Sequence, residues 1–328
     1  KDLVTLNMIQ NITIDGTKVS FSLVLTTHAC PLKAEMEASA REAVLAIEGV
    51  EEVDINVTAR VPESKKIPDK EAIPGIKNTI AVASGKGGVG KSTVAVNLAL
   101  ALSKAGSRVG LLDIDLYGPS IPMMMGIHED IQATEDKRLI PLEAHGVKLI
   151  SVGFMLDEET PLIWRGPLVM QLVQQFLKDV EWGELDYLVI DLPPGTGDAQ
   201  LTLVQTIPLT GVVAVTTPQD VALIDARRAI KMFTEVKVPI LGIVENMSSF
   251  ICPHCDKETE IFSSGGGKKT SERYDVPLLG KVPIDLKIRE GGDAGKPVVQ
   301  SQPDSAEAKI FTEIASKVAA RISIIDLS

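Results

Sequence analysis

The sequence predicts an α/β fold built on a mostly parallel sheet and preceded by a small α+β unit. Three observations predict it: short hydrophobic runs alternate with helical patterns beyond residue 77, prolines and charges break the chain at 62–77, and strand-like alternation frames a single helix before that break. In residues 1–61, MIQNITID, KVSFSLVL and VDINVTAR read as strands, and PLKAEMEASAREAVLAI between the second and third reads as a helix. Pro62, Pro68 and Pro74 stand among charged residues with neither helical nor strand period, which is the composition of a linker. Across residues 78–328, TIAVAS, RVGLLDID, VKLISVG, DYLVID, GVVAVTT and ILGIVE are short, β-branched and almost continuously apolar, as strands buried on both faces are. Between them, STVAVNLALALSKAG and LVMQLVQQFLKDV carry apolar residues at helical spacing, so the pattern is one of βα units with right-handed crossovers. The last helix places Ile310, Phe311, Ile314, Val318 and Ile322 on one core-facing stripe.

The chain has 328 residues, of which 45% are hydrophobic, 23% charged and 4% aromatic, and its 33 Lys and Arg against 44 Asp and Glu give a net charge of −11. At about 150 residues per domain this length suits two domains. The acidic balance speaks against non-specific binding to nucleic acid, which needs clustered cations to displace counterions. No stretch reaches the ~18 apolar residues of a membrane span, so neither nucleic acid nor membrane is an expected partner. Three cysteines, Cys30, Cys252 and Cys255, are too few for a secreted disulfide framework, and the expected location is cytoplasmic. The chain opens on Lys1 rather than Met, without a basic end and apolar signal core, and reads as trimmed at its start.

The chemistry is concentrated where TIAVAS runs into Gly85-Lys86-Gly87-Gly88-Val89-Gly90-Lys91-Ser92-Thr93 and an apolar helix follows. A strand, a G-x-x-x-x-G-K-[ST] loop and a helix in that order form a phosphate cradle: glycines turn backbone N–H groups inward, and the helix N-terminus adds its positive end. Lys91 is expected on the β- and γ-phosphates of ATP, and Ser92 on Mg²⁺, with Thr93 beside it. Ligands of open α/β sheets sit beyond the carboxyl ends of the strands, where Asp113, Asp115 and Asp191 end two runs. Asp191 suits the water shell of Mg²⁺, Asp115 the attacking water, and the loop Gly195–Gly197 the γ-phosphate through its N–H groups. Asp198 has no clear assignment. Gly265–Gly267 with Lys268 and Lys269 imitates such a loop, but no strand leads in and no Ser or Thr follows at the required spacing, so a mobile loop is expected there. Met123–Met125 is expected as gap-filling core or loop.

The extra lysine Lys86 inside GKGGVGKST resembles the deviant phosphate loop of the MinD/ParA class of dimerising P-loop ATPases. DIDLYGPSIPMMMG, WRGP, DYLVIDLPPGTGD, TTPQD and ENMSSFICPHC resemble the Mrp/ApbC branch of that class, the iron–sulfur cluster carrier ATPases, over residues 76–328. The resemblance implies a MinD-like P-loop NTPase fold, with Lys86 reaching across a homodimer to the partner's nucleotide and Asn246 near the adenine base. TTHACP in the small first unit is similar to the domain of SufT-like cluster-assembly factors, over residues 1–61.

Cys252-Pro253-His254-Cys255 offers two soft ligands after ILGIVE and a short polar turn, whereas a tetrahedral zinc or a [4Fe–4S] cluster wants about four. A two-fold axis between two such knuckles would bring four thiolates together. An intersubunit zinc site, a redox dithiol and plain surface cysteines are the other readings of the pair. The resemblance implies a bridging [4Fe–4S] cluster in a homodimer, delivered to apo iron–sulfur proteins. Cys30 precedes Pro31, a residue favoured at the first helical position, so its sulfur is expected at a helix N-terminus as an accessory thiol, against the alternative of a small core residue. His254 is expected in solvent, and His28 carries no stronger signal. A ParA/MinD-like switch that positions itself on DNA or membrane, with zinc or no metal at the cysteines, is the alternative function; the charge of −11 and the C-x-x-C weigh against it.

Overall fold

The computed structural model describes residues 2–64, 70–155, 166–255 and 257–327. Trp164 and Arg165 of the WRGP motif, and residues 65–69 of the linker, lie outside the described residues.

The first unit is a three-stranded sheet with one helix. β1 (Ile9–Asp15) and β2 (Lys18–Leu25) form a hairpin, and β2 pairs in parallel with β3 (Glu52–Ala59) after α1 (Lys33–Leu45). Alternation in KVSFSLVL sends Val19, Phe21, Leu23 and Leu25 inward, where they pack with Met8, Val53, Ala40 and Val44. The helix begins two residues later than expected. Pro31 and Leu32 form a turn ahead of it, and the amide of Lys33 reaches back to the Cys30 carbonyl at 3.4 Å. The cause is tertiary: Thr27 is 3% exposed and Ala29 is embedded in the core of the larger unit, so the chain must turn once more before the helix can start.

The larger unit runs in chain order through β4 (Ile76–Ser84), α2 (Lys91–Lys104), β5 (Val109–Asp113), α3 (Ile121–Met125), β6 (Gln132–Ala133), β7 (Leu139–Ile140), β8 (Leu142–Ala144) and β9 (Val147–Ser151). It continues with α4 (Gly166–Lys178), β10 (Leu185–Asp191), α5 (Asp198–Thr206), β11 (Gly211–Thr216), α6 (Asp220–Glu235), β12 (Ile240–Ile251) and β13 (Glu258–Thr259), and closes with α7 (Gly266–Tyr274), β14 (Leu278–Ile284), α8 (Leu286–Asp293), α9 (Val298–Ser301) and α10 (Ala306–Leu327). Among the described residues the main sheet has the order β14-β12-β11-β4-β10-β5-β9-β8, parallel except for β8 and for β13, which pairs antiparallel with the end of β12. α2 and α10 cover one face, with Leu98, Phe311, Ile314, Val318 and Ile322 buried there; α4, α5 and α6 cover the other with Phe176, Leu203 and Phe233. Continuous burial of β4, β10 and β11 explains their unbroken apolar runs.

Two local expectations change, and one strand the sequence reading did not include is added. β12 continues through ENMSSFI to Ile251, so Cys252 follows a strand and not a polar turn; a bulge at Met247, φ +54°, absorbs the polar stretch and shifts the register against β14. LLGKVPI is an edge strand whose Gly280 and Pro283 break the hydrophobic signal, and Gly280 is required because a Cβ there would meet Ile314 at 2.7 Å. Gly265–Gly267 opens a helix, α7, and the Gly267 amide donates to the buried Glu245 carboxylate at 2.5 Å, so a side chain occupies the anion position. Met124 and Met125 are buried in α3, as the gap-filling reading expects, and Met123 is exposed. Among the described residues no helix is long and apolar enough to cross a membrane.

Candidate nucleotide site and cysteine pair

β4 delivers the glycine loop to the carboxyl edge of the sheet, and α2 leaves it with no side chain capping its first turn. Those N–H groups are free donors for an anion. Two glycines are obligatory for steric reasons. A Cβ on Gly85 would run into the main chain of Asp225 in α6, and one on Gly90, which sits at φ +79°, into the Asn246 amide. Val89, 2% exposed, pins the loop to the core, and its carbonyl accepts the Asn246 Nδ2 at 2.8 Å. The structure thus brings Asn246 to the loop from the middle of another strand, β12.

Asp113 ends β5, Asp191 ends β10, and the two are direct pairing neighbours. Lys91, 5% exposed, lies 2.6 Å from Asp191 Oδ1 and 3.3 Å from Asp115 Oδ2, while Ser92 donates to Asp191 Oδ2 at 2.6 Å. Asp115 is oriented by its other oxygen, which accepts the Tyr117 amide at 3.1 Å. Asp113 accepts from Ser151 Oγ at 2.8 Å and from the Asp115 amide at 3.1 Å. Burial first, and then the neighbouring Asp191 charge, push the Asp113 carboxyl up to about 7. Burial also raises Asp191, opposed by Lys91 and Ser92. Lys86 is half-buried on the loop and has no ion pair among the described residues. Gly195, φ +108°, donates to the Ser84 carbonyl at 2.9 Å, which holds its loop beside the end of β4; Asp198 is exposed at the start of α5.

Two clefts meet at this edge. One, of about 420 Å³, is lined by the loop from Gly87 to Thr93 with Asp115, Tyr117 and Pro194. The other, of about 400 Å³, is lined by Asn246, Met247, Phe262, Ile284, Ile288 and Arg289 among others. Gly90, Thr93, Ser120 and Met124 line both, so the cleft along the glycine loop opens into a more strongly apolar one of a size for a base and sugar. The sequence reading missed Ser151, Tyr117, Phe262 and the 283–293 wall. Tyr117 stands inside the DIDLYGPSIPMMMG motif without being singled out by it, whereas no motif announces the others, which become part of the site only through strand order.

Cys252 and Cys255 sit in the β12–β13 hairpin, which is closed by the Cys252 amide on the Lys257 carbonyl at 3.1 Å. Cys252 is half-buried and Cys255 exposed. The His254 amide first, then the Cys255 thiol and amide, hold the Cys252 thiol below its ordinary value, which favours the thiolate that binds metal. His254 is exposed, as expected. Among the described residues no group of three or more His, Cys, Asp and Glu converges, so the pair has no third ligand among those residues. Cys30 packs beside Met8, Leu23 and Leu25 in the first unit. It stands one turn ahead of α1 rather than at its first residue, near Thr27, whose hydroxyl lies 3.3 Å from Tyr187 at the opposite end of β10 from Asp191. The structure therefore does not bring it together with Cys252 and Cys255.

The profile of the NUBPL iron-transfer P-loop NTPase family matches residues 75–319, and that of an iron–sulfur cluster assembly protein family matches residues 1–57. An iron–sulfur cluster carrier protein of Synechocystis is 52% identical over 99% of this chain and 93% of its own length. An iron–sulfur cluster transfer protein NUBPL of Dictyostelium discoideum is 53% identical over 78% of this chain and 80% of its own. Among solved structures, a nucleotide-binding protein of Archaeoglobus fulgidus in complex with ADP aligns with TM-score 0.64 at 38% identity, over 72% of this chain and 92% of that one. The Pyrococcus furiosus cell division ATPase MinD aligns with TM-score 0.55 at 24% identity, over 74% and 98%, and shares the fold. With the phosphate loop, the carboxylates and the cysteine pair all inside the longer matched stretch, and a relative similar over nearly the whole chain, this protein belongs to the NUBPL iron-transfer P-loop NTPase family.

Proposed function

We propose that this chain is an ATP-dependent iron–sulfur cluster carrier that holds a [4Fe–4S] cluster between two protomers and hands it to apo iron–sulfur proteins. The observation that carries the reading is the course of β12: Asn246 touches the phosphate loop, and six residues further along the same strand direction stands Cys252. At about 3.3 Å per residue, at most some 20 Å separates Asn246 from Cys252, along a strand that bulges at Met247.

In this reading the loop amides and Lys91 take the phosphates of ATP, and Asn246 and the apolar cleft take the base. Ser92 and Asp191 are hard oxygen donors already 2.6 Å apart, a donor set that suits Mg²⁺. Bound there, Mg²⁺ would neutralise charge on the β- and γ-phosphate oxygens. Asp115, oriented by the Tyr117 amide, accepts the proton of the attacking water as its oxygen bonds to the γ-phosphorus and ADP leaves. Lys86 from the partner's loop completes the charge around the phosphates in the closed dimer. Each protomer contributes Cys252 and Cys255, four thiolates in all, and hydrolysis sets when the grip loosens.

Reconstitution of the full chain with iron and sulfide under anaerobic conditions tests this. Wild type should bind about four irons and four sulfides per dimer with visible absorption, and Cys252→Ser/Cys255→Ser should bind none. Zinc, or no metal, in the wild-type protein would overturn the carrier reading and leave a nucleotide-driven positioning switch.

A further inference from the structure

The chain that leaves the base cleft turns at the cysteines and comes back to the same cleft. β12 passes it at Asn246 and Met247 and ends at Ile251; after Cys255 the return limb runs antiparallel through β13, and Phe262 then lines that cleft. Each limb is bent by a non-glycine residue at positive φ next to its cleft residue, Met247 at +54° and Ser263 at +87°. Such backbone persists only where the surroundings fix it, and it tends to mark functional segments. The return limb is pinned directly afterwards: Gly267 donates to Glu245, the fully buried neighbour of Asn246, and a Cβ on Gly267 would lie 2.7 Å from that carboxylate. One end of the segment is tied to β12 by Glu245 and the other by the hairpin pairs Phe250–Thr259 and Ile251–Glu258.

We infer that Phe262 is a positioning residue that transmits occupancy of the base cleft to the cysteine pair. A purine ring entering the cleft packs against the Phe262 ring, and the limb that carries it shifts Cys255 relative to Cys252. The inference rests on the carrier reading for its purpose, whereas its geometry concerns the thiols whether or not they hold a cluster.

The test uses the full, reduced, metal-free chain. Limiting iodoacetamide is applied without ligand, with saturating ADP, and with pyrophosphate, which fills the phosphate loop but has no base. Alkylation of Cys252 and Cys255 is read by peptide mass spectrometry relative to Cys30 in the same molecule. ADP should change the relative rate at the pair in wild type at least ~3-fold, and pyrophosphate should leave it unchanged. Phe262→Ala, at ADP concentrations shown by titration to saturate it, should bring the ADP ratio to about one, and Phe262→Leu, which keeps apolar bulk, should retain most of the effect. If Phe262→Ala does not fold, Ser263→Gly decides: it leaves the ring in place, relaxes the turn, and should halve the ratio. A full wild-type ratio in the alanine or glycine variant, an equal effect of pyrophosphate, or no ADP effect in wild type overturns the inference. Failure of the carrier reading shows separately, as absence of iron after reconstitution.

Discussion

Lys91 places its ammonium 2.6 Å from Asp191 and 3.3 Å from Asp115 at 5% exposure, so it balances charge in the fold and, in the proposed function, is also the residue that takes the phosphates. Its removal has two separable consequences. Lys91→Ala should reduce ATP turnover by at least ~100-fold, the scale of losing one positioned electrostatic donor. It should also destabilise the nucleotide-free protein by about 3 kcal/mol, because Asp191 is left buried without its cation. Phosphate-release assays and thermal melts check the two halves, and normal turnover would remove the loop lysine from the site. Asp115→Asn keeps the Tyr117 contact and most of the shape. It should leave nucleotide affinity nearly intact while slowing hydrolysis ~100-fold, which a comparison of ADP titration with single-turnover rates resolves.

At the scale of elements, Asp186 fastens the amino ends of three strands opposite the site. Its carboxylate is 2.8 Å from Lys77 at the start of β4, accepts the Arg108 amide at 2.9 Å ahead of β5, and stands second in β10. Burial pushes its carboxyl up, but the bonds from Lys77 and Arg108 outweigh it and hold the group below the usual carboxylate value. A depressed folded value means that this stabilisation is complete above the unfolded value of about 3.9 and is lost as pH falls through the folded one. Asp186→Asn should therefore cost about 2 kcal/mol at pH 7 and flatten the acid limb of a stability-against-pH curve from urea unfolding. A variant with an unchanged acid limb would show that other carboxylates set it.

For the whole molecule, the first unit is attached by more than its linker. Thr27 meets Tyr187 and Ala29 lies in the large core, in addition to the linker's own contacts, Ser64 with Thr210 and the Pro62 carbonyl with Asn78. These contacts lie toward the amino edge of the sheet, away from the phosphate loop. Ala29→Asp places a charge in that core and should free the first unit, so that tryptic cleavage within residues 62–77 accelerates ~5-fold while the larger unit keeps its own melting transition. Equal cleavage rates would mean that the linker contacts alone hold the unit.

Much of this molecule was legible in its sequence because the signals are local. Glycine spacing before Lys91, β-branched runs and helical stripes each depend on neighbours within a few residues, and they specified the layered fold, the phosphate loop and the candidate acids at strand ends. Resemblance of motifs supplied Lys86 and Asn246. What the sequence could not specify are meetings between residues far apart in the chain: Asp113 beside Asp191, Ser92 on Asp191, Asn246 on Val89, Phe262 in the cleft of Asn246, and Cys30 away from Cys252 and Cys255. Strand order and register decide these, and they follow from burial summed over the whole sheet rather than from any one segment. The same holds for LLGKVPI, whose glycine and proline hide a strand that only the neighbouring β12 and α10 make stable, and for α1, whose first residue is set by how Ala29 docks.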